Sequence, residues 1–484
     1  MHSLSVSNEN RQFSPQGIGS AFEAFRNTYQ AYTTTYKLDH LRATEYARLD
    51  RQGQVYLDYT GGGLYAESQL RQHMQLLGGG VFGNPHSKNL TSMAMTALVE
   101  QTREFVLKYF NASPEEYSVI FTPNSTGALK LVGESYPFGP GDNYLLTFDN
   151  HNSVNGIREF ACAKGARVTY LPIVPPELRV NPAELASGLA LAKPGRNNLF
   201  AYPAQSNFSG VQHPLEWIAE AQAKGWEVLL DAASFAPSNR LDLSRYHPDF
   251  VVISFYKIFG YPTGVGCLIV RKPALQKLRR PWYAGGTITF STVLGFNHYL
   301  TPGPAGFEDG TVNYLSLPAV EIGLRYIEWV DMNLIHTRVM CLTGWLIDQL
   351  TALRHSNGKP LVRLYGPANT YRRGGTIQVN FFDADGRLID CNEIERLANA
   401  QRISLRAGCH CNPGAREIAL GFTQDEMMNC FKDKDSLTYE QFLQVIDGKT
   451  TGALRASIGL ATTFGDVYKY MSFAESFLDR TPIS

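Results

Sequence analysis

Between about residues 117 and 270, short apolar runs rich in β-branched and aromatic residues alternate with helical patterns. This alternation constrains the fold more than any other feature. Residues 117–121, 144–148, 168–171, 198–202, 228–231, 250–254 and 265–270 read as strands, and 125–135, 153–164 and 214–224 as helices between them. Strands that are apolar throughout, with helical spacers, predict an α/β domain: a mainly parallel, seven-stranded sheet buried on both faces. After about Leu315 the pattern changes. Two long helices, 318–332 and 335–353, precede strand patterns at 376–381 and 454–457, which predict a smaller α+β domain. Residues 1–50 read as an arm with one short helix near 21–32. A strand at 55–59 and a glycine turn at Gly61-Gly62-Gly63 follow. The expected division is therefore 1–50, an arm joining the small domain; 51–314, the large domain; and 315–484, the small domain, which also carries a cysteine loop.

A chain of 484 residues with 44% hydrophobic and 18% charged residues can bury such cores. Lys plus Arg equals Asp plus Glu, at 44 each, which offers no support for a nucleic-acid partner. No apolar run approaches the roughly 20 residues a membrane helix needs, and residues 1–16 are polar, without a secretory apolar core. The expectation is a soluble protein with no membrane partner. Cys162, Cys267, Cys341, Cys391, Cys409, Cys411 and Cys430 are odd in number and dispersed, which suits a reducing, cytoplasmic compartment better than a disulfide framework.

Strand-end residues carry the chemistry. Asp231 closes the run Val228-Leu229-Leu230, and Lys257 follows Val251-Val252-Ile253-Ser254, 26 positions later. In α/β sheets ligands bind beyond the carboxyl ends of strands. A carboxylate and a lysine there suit pyridoxal 5'-phosphate (PLP): the acid pairs with the protonated pyridine nitrogen, and the amine carries the Schiff base. The plainer reading is a surface lysine and a helix-capping aspartate. Asn124-Ser125-Thr126-Gly127 opens a helix after a strand and offers N–H groups and hydroxyls to a phosphate, though by itself it is also an ordinary capped helix. His151 follows another strand, where an imidazole can stack on a flat ring. Arg406-Ala407-Gly408-Cys409-His410-Cys411-Asn412-Pro413-Gly414 places two cysteines on a glycine-flanked loop. Cys409, His410 and Cys411 stand too close together to supply the four ligands of a structural zinc site, so no metal is expected. A thiol made reactive by Arg406 and His410 fits better.

Taken together, Asp149-Asn150-His151, Asn207-Phe208-Ser209-Gly210, Asp231-Ala232-Ala233-Ser234, Ser254-Phe255-Tyr256-Lys257 and the Cys411 loop resemble the class V aminotransferase superfamily, specifically its cysteine desulfurases. Tyr56-Leu57-Asp58-Tyr59, Phe82-Gly83-Asn84-Pro85-His86-Ser87, Gly408 to Gly414 and Gly452 to Gly459 are most similar to the N-terminal, desulfurase-like domain of molybdenum cofactor sulfurases. The resemblance runs from about residue 25 to the end, and implies the fold type I of PLP-dependent transferases. By it, Lys257 would hold PLP and move protons, Asp231 would pair the pyridine nitrogen and His151 would stack on the ring. Asn207 would bond near the ring hydroxyl and beside the substrate. Ser125, Thr126, Ser254 and Tyr256 would hold the phosphate, with Thr311 reaching it across a homodimer. Arg455 would clamp the substrate carboxylate and Cys411 would accept the sulfur, with Cys409, Arg406 and His410 as secondary candidates.

The resemblance implies conversion of L-cysteine to L-alanine, with a persulfide on Cys411 and an unidentified acceptor beyond it, for which the sulfurase likeness suggests molybdenum cofactor. Ser484 lies 25 residues after Gly459, so the pterin-binding domain of those sulfurases is not expected within these 484 residues. Two other readings stay open: a PLP-dependent C–S lyase on cysteine or a cysteine conjugate, which needs no nucleophilic cysteine, and a non-catalytic binding protein on the same fold. Residues 422–449, between the cysteine loop and Arg455, are polar and read as a surface helix pair.

Overall fold

The computed structural model describes residues 13–431 and 452–480. Its larger sheet has seven strands: β1 (Tyr117–Thr122), β2 (Asn143–Thr147), β3 (Arg167–Leu171), β4 (Asn198–Pro203), β5 (Glu227–Asp231), β6 (Phe250–Ser254) and β7 (Gly266–Arg271). Their spatial order is β1-β7-β6-β5-β4-β2-β3. All neighbours run parallel except β7, which is antiparallel to both β6 and β1. The connection from β6 to β7 explains the exception. It holds only the one-turn helix Phe255–Phe259 and a turn, less than a parallel crossover requires. Every residue of β2, β4 and β6 is buried. Their side chains alternate between two cores: Val251 and Ile253 enter one, Phe250 and Val252 the other.

The smaller sheet comprises β8 (Val362–Tyr365), β9 (Thr376–Phe382), β10 (Leu388–Ile389), β11 (Arg406–Gly408) and β12 (Ala453–Ser457), ordered β8-β9-β12-β11 with β10 paired to β9. All its pairings are antiparallel. The helices Leu317–Val330 and Met332–Ala352 precede it. They break at Asp331, whose backbone adopts φ 84° while its side chain accepts the Asn333 N–H and caps the second helix.

The N-terminal helix Ile18–Thr28 packs on the helix Phe464–Glu475 through Phe22, Phe25 and Phe464. The strand expected at 55–59 is confined to Val55–Tyr56, paired in parallel with Ile403–Ser404. An isolated bridge then joins Asp58 to Ser457, so this short stretch continues alongside the end of β12. The single helix expected at 153–164 is two, Asn152–Asn155 and Ile157–Ala163, separated at Gly156. Strand alternation gave no sign of the helices Glu67–Gly78 and Leu90–Tyr109, nor of the hairpin Ile288–Thr292 with Asn297–Leu300. Of the segment read as a surface helix pair, one helix is Gln424–Phe431, and residues 432–449 lie outside the described residues.

Candidate active site

The carboxyl ends of β1, β2, β4, β5 and β6 open on one cavity of about 300 Å³. Ser125, Thr126, His151, Asn207, Asp231, Ser254, Tyr256 and Lys257 all line it. Each stands there because a strand ends beside it. Asp231 is the last residue of β5 and Ser254 the last of β6, and Lys257 is in the first turn after β6. His151 and Asn207 each follow their strand by four residues. Ser125 and Thr126 begin the helix Ser125–Ser135, capped by the Asn124 side chain, which accepts the Gly127 N–H.

One end of the cavity is rich in hydroxyls. Ser125 and Ser254 stand 2.8 Å apart, oxygen to oxygen, and Thr126 and Ser153 also 2.8 Å. These groups surround a helix N-terminus, a setting that favours an anion. His151 Nδ1 accepts the Ser153 N–H at 3.1 Å, which places the proton of the neutral ring on Nε2. Burial pulls the His151 pKa below its ordinary value, against the attraction of Asp231. Asp231 Oδ1 accepts the Ala233 N–H at 3.0 Å. Burial also lowers the Lys257 pKa; Asp231 opposes this, while Arg455 and Arg406 reinforce it. The amine therefore sheds its proton more readily than a surface lysine. Gly63 lets the neighbouring turn close on this lysine, because a Cβ there would stand 2.8 Å from the Lys257 carbonyl oxygen.

The smaller sheet brings a second group of residues. In its ladder Arg455 lies between Gln378 and Arg406. Two arginines directly opposite repel, and Asp58 answers both. Arg455 Nη2 donates to Asp58 Oδ1 at 2.9 Å, and Arg406 Nη2 to Oδ2 at 2.6 Å. Arg455 is 3% exposed and also donates from Nη1 to the Asn207 carbonyl at 3.1 Å. The loop after β11 carries Cys409, half-buried, and Cys411, exposed. His410 and Cys411 have φ of 56° and 55°, a left-handed conformation that costs a non-glycine residue about 1–2 kcal/mol each. Neighbours hold it in place: Asn207 Nδ2 donates to the His410 carbonyl at 2.7 Å, and the Asn152 N–H to the Cys411 carbonyl at 2.7 Å.

The model of the family described as aminotransferase class-V matches residues 55–469. The chain belongs to this family. It is 37% identical over 489 residues to a molybdenum cofactor sulfurase of Solanum lycopersicum, an alignment that covers 93% of this chain and 58% of that protein. The chain thus spans little more than half the length of the curated relatives it matches. Among solved structures, an apo cysteine desulfurase from Thermococcus onnurineus NA1 superposes with a TM-score of 0.74 at 23% identity, over 91% of this chain and 98% of that one. The cystine C–S lyase C-DES superposes with a TM-score of 0.66 at 18% identity, over 88% and 98%. These likenesses show a shared fold, the fold type I expected from the sequence.

Within this class-V chain, not every residue expected at the site reaches the cavity. Thr311 lines an adjoining groove of about 380 Å³ that shares Pro123 and Gly264 with it, and accepts a hydrogen bond from Asn84. Cys409, Cys411, Arg406, His410 and Arg455 belong to the smaller-sheet group and are not among the cavity's lining residues. The positive charge expected beside the thiols is offset. Arg406 is paired with Asp58, and His410 is pushed well below its ordinary pKa by burial and by Arg455. In the sequence Asp58 stands only as part of a motif, and Gln205, Ser153 and Asn412 carry no expected role. Gln205 and Ser153 were findable, since each follows a strand end and lines the cavity. Asp58 had no such signal, because Arg455 is 397 positions away.

Proposed function

We propose that this chain is a PLP-dependent cysteine desulfurase that converts L-cysteine to L-alanine and leaves the sulfur on Cys411 as a persulfide. The observation that carries this reading is the convergence of Asp231, Lys257 and the Ser125, Thr126 and Ser254 hydroxyls on one cavity. That donor set fits PLP. A hydroxyl-rich helix N-terminus suits the phosphate, a carboxylate the pyridine nitrogen, and an amine with a lowered pKa the carbonyl carbon. His151 lines the same cavity and would stack on the ring. Asn207 and Tyr256 would complete the pocket, and Thr311 would reach the phosphate from a second subunit. When bound, PLP supplies an electron sink for the substrate's Cα.

The chain's own residues do the rest. Lys257, once neutral, takes the Cα proton. Arg455 offers a buried guanidinium whose Nε–H has no partner among the described residues, a donor for the substrate carboxylate. The Cys411 thiolate takes the substrate's sulfur. An S–S bond forms as the Cβ–S bond breaks, and the electron pair left on Cβ is protonated, so L-alanine departs. No external oxidant is needed. Cys409, Arg406 and His410 would border the transfer. The molybdenum cofactor sulfurase relatives support molybdenum cofactor as the destination of the sulfur.

We further read the chain as a homodimer of subunits divided at 1–50, 51–314 and 315–484, in a reducing, cytoplasmic compartment and without nucleic-acid or membrane partners. The six described cysteines are free, which supports the compartment. Among the described residues no helix is long and apolar enough to cross a membrane.

One observation favours a second reading, a C–S lyase: Cys411 does not line the cavity. The deciding experiment gives purified protein L-cysteine with a thiol reductant and assays alanine, pyruvate and sulfide in wild type and Cys411→Ala. Alanine and sulfide from wild type, both lost in the variant, are expected. Pyruvate and ammonia, undiminished in the variant, would replace desulfuration by lysis and leave Cys411 without a catalytic role.

A further inference from the structure

Asn207 belongs to two structures at once. It lines the cavity, yet its side-chain amide is engaged with the cysteine loop on both sides of Cys411. Its Nδ2 donates to the carbonyl of His410 at 2.7 Å, and its Oδ1 accepts from Asn412 Nδ2 at 2.9 Å. Asn412 is fully buried, and every side-chain hydrogen it has is used. The second Nδ2 hydrogen goes to the carbonyl of Asp149 at 2.7 Å, at the end of β2, and its Oδ1 accepts the Ala415 N–H at 3.1 Å, capping the helix Pro413–Leu420. The Asn412 N–H closes the loop on the Cys409 carbonyl at 3.1 Å. Behind it Gly414 lies so close to the Phe148 carbonyl oxygen that a Cβ would stand 2.0 Å from it. The loop is thus docked on the large sheet rather than free beside it. Of its two left-handed residues, His410 is held at its carbonyl by Asn207, which Asn412 anchors in turn, and Cys411 is held at its carbonyl by the Asn152 N–H.

We propose that Asn412 is a positioning residue that ties the Cys411 loop to the cavity through Asn207, so that occupancy of the cavity sets where the Cys411 thiol stands. A ligand oxygen that takes the remaining N–H of Asn207 acts on the same planar amide that holds His410 and Asn412. A shift or polarisation of that amide reaches both neighbours of Cys411 together. This rests on the reading of Cys411 as the sulfur acceptor, but its main readout needs no turnover.

Asn412→Asp separates positioning from capping. Aspartate caps a helix as well as asparagine does, but it cannot donate to Asp149 or to Asn207. Amide hydrogen exchange would be followed in the peptide 407–416 in PLP-free and PLP-bound protein. In wild type, PLP should slow exchange in this peptide. In Asn412→Asp, exchange there should rise roughly tenfold and no longer respond to PLP, as expected for the loss of two buried hydrogen bonds. The cofactor's absorbance should persist, and kcat for desulfuration should fall roughly tenfold with KM for L-cysteine within about twofold. Should the aspartate prevent folding, Asn412→Ser keeps the cap and loses the same reach. Wild-type exchange and kcat in either folded variant would overturn the proposal, as would exchange in wild-type 407–416 that is indifferent to PLP. Failure of the desulfurase reading looks different: the loop still responds in wild type and not in the variant, while no alanine forms in either.

Discussion

Single residues at this site divide by how they are charged and who pays attention to that charge. Asp231 and Lys257 were legible because a polar side chain directly after an apolar strand has one place to go, the rim of the sheet. His151 and His410 show a subtler property. Burial lowers both pKa values, and at His410 the Arg455 cation adds to the effect. The folded protein therefore keeps these rings neutral, whereas the unfolded chain protonates them near the ordinary value of 6.5. The unfolded state binds more protons in that window, so their contribution to stability is present above about pH 6.5 and is lost as pH falls below it. Thermal unfolding at pH 7.5 and pH 5.5 tests this. His410→Asn, which tolerates the left-handed backbone, should show a smaller loss of melting temperature on acidification than wild type. An equal loss would mean that His410 takes no part in the acid sensitivity.

At the scale of elements, the helix Ser125–Ser135 has the bounds the sequence predicts, because Asn124 is a strong cap and a strand ends just before it. The helix expected at 153–164 failed at Gly156, where apolar spacing carries across a break that periodicity does not register. Close approaches between elements set the glycines that matter. Gly414→Ala would drive a Cβ into the Phe148 carbonyl, a backbone atom that cannot turn away. It should cost about 3 kcal/mol in urea unfolding, at the upper end of overpacking effects. Gly78→Ala, at the end of the helix Glu67–Gly78 with nothing within 4 Å of the new Cβ, should change stability by less than about 1 kcal/mol. Equal effects of the two substitutions would show that the cysteine loop is not docked as closely as its geometry implies.

For the whole molecule, the exposed tip of the hairpin is the feature a single subunit leaves unexplained. Val293 is 89% exposed, Leu294 98% and Phe296 94%, with Phe290 and Tyr299 beside them. Contiguous apolar side chains of this kind mark an interaction surface, and the base of the hairpin is tied to the Thr311 segment through the Gly310 N–H and the Gly285 carbonyl. The proposed homodimer accounts for both. Sedimentation should find wild type as a dimer, and Leu294→Asp with Phe296→Asp should shift it toward monomer and weaken PLP retention. A monomeric wild type would remove Thr311 from the phosphate site.

By itself the sequence determined the α/β class, most strand positions and the residues at strand ends, because burial on two faces demands continuous apolar runs and strand ends face the ligand. It could not determine strand order, since buried parallel strands look alike whichever neighbours they have. Nor could it reach contacts between segments that only tertiary packing brings together. Asp58 with Arg455 and Arg406, and Asn207 with Asn412, are joined across 397, 348 and 205 positions of chain. The first two exist only once the chain before Asp58 is laid alongside β12, and the third only once the loop after β11 is set against the carboxyl ends of the large sheet. Periodicity reports which face of an element is buried; which distant side chain it meets there was decided by tertiary packing.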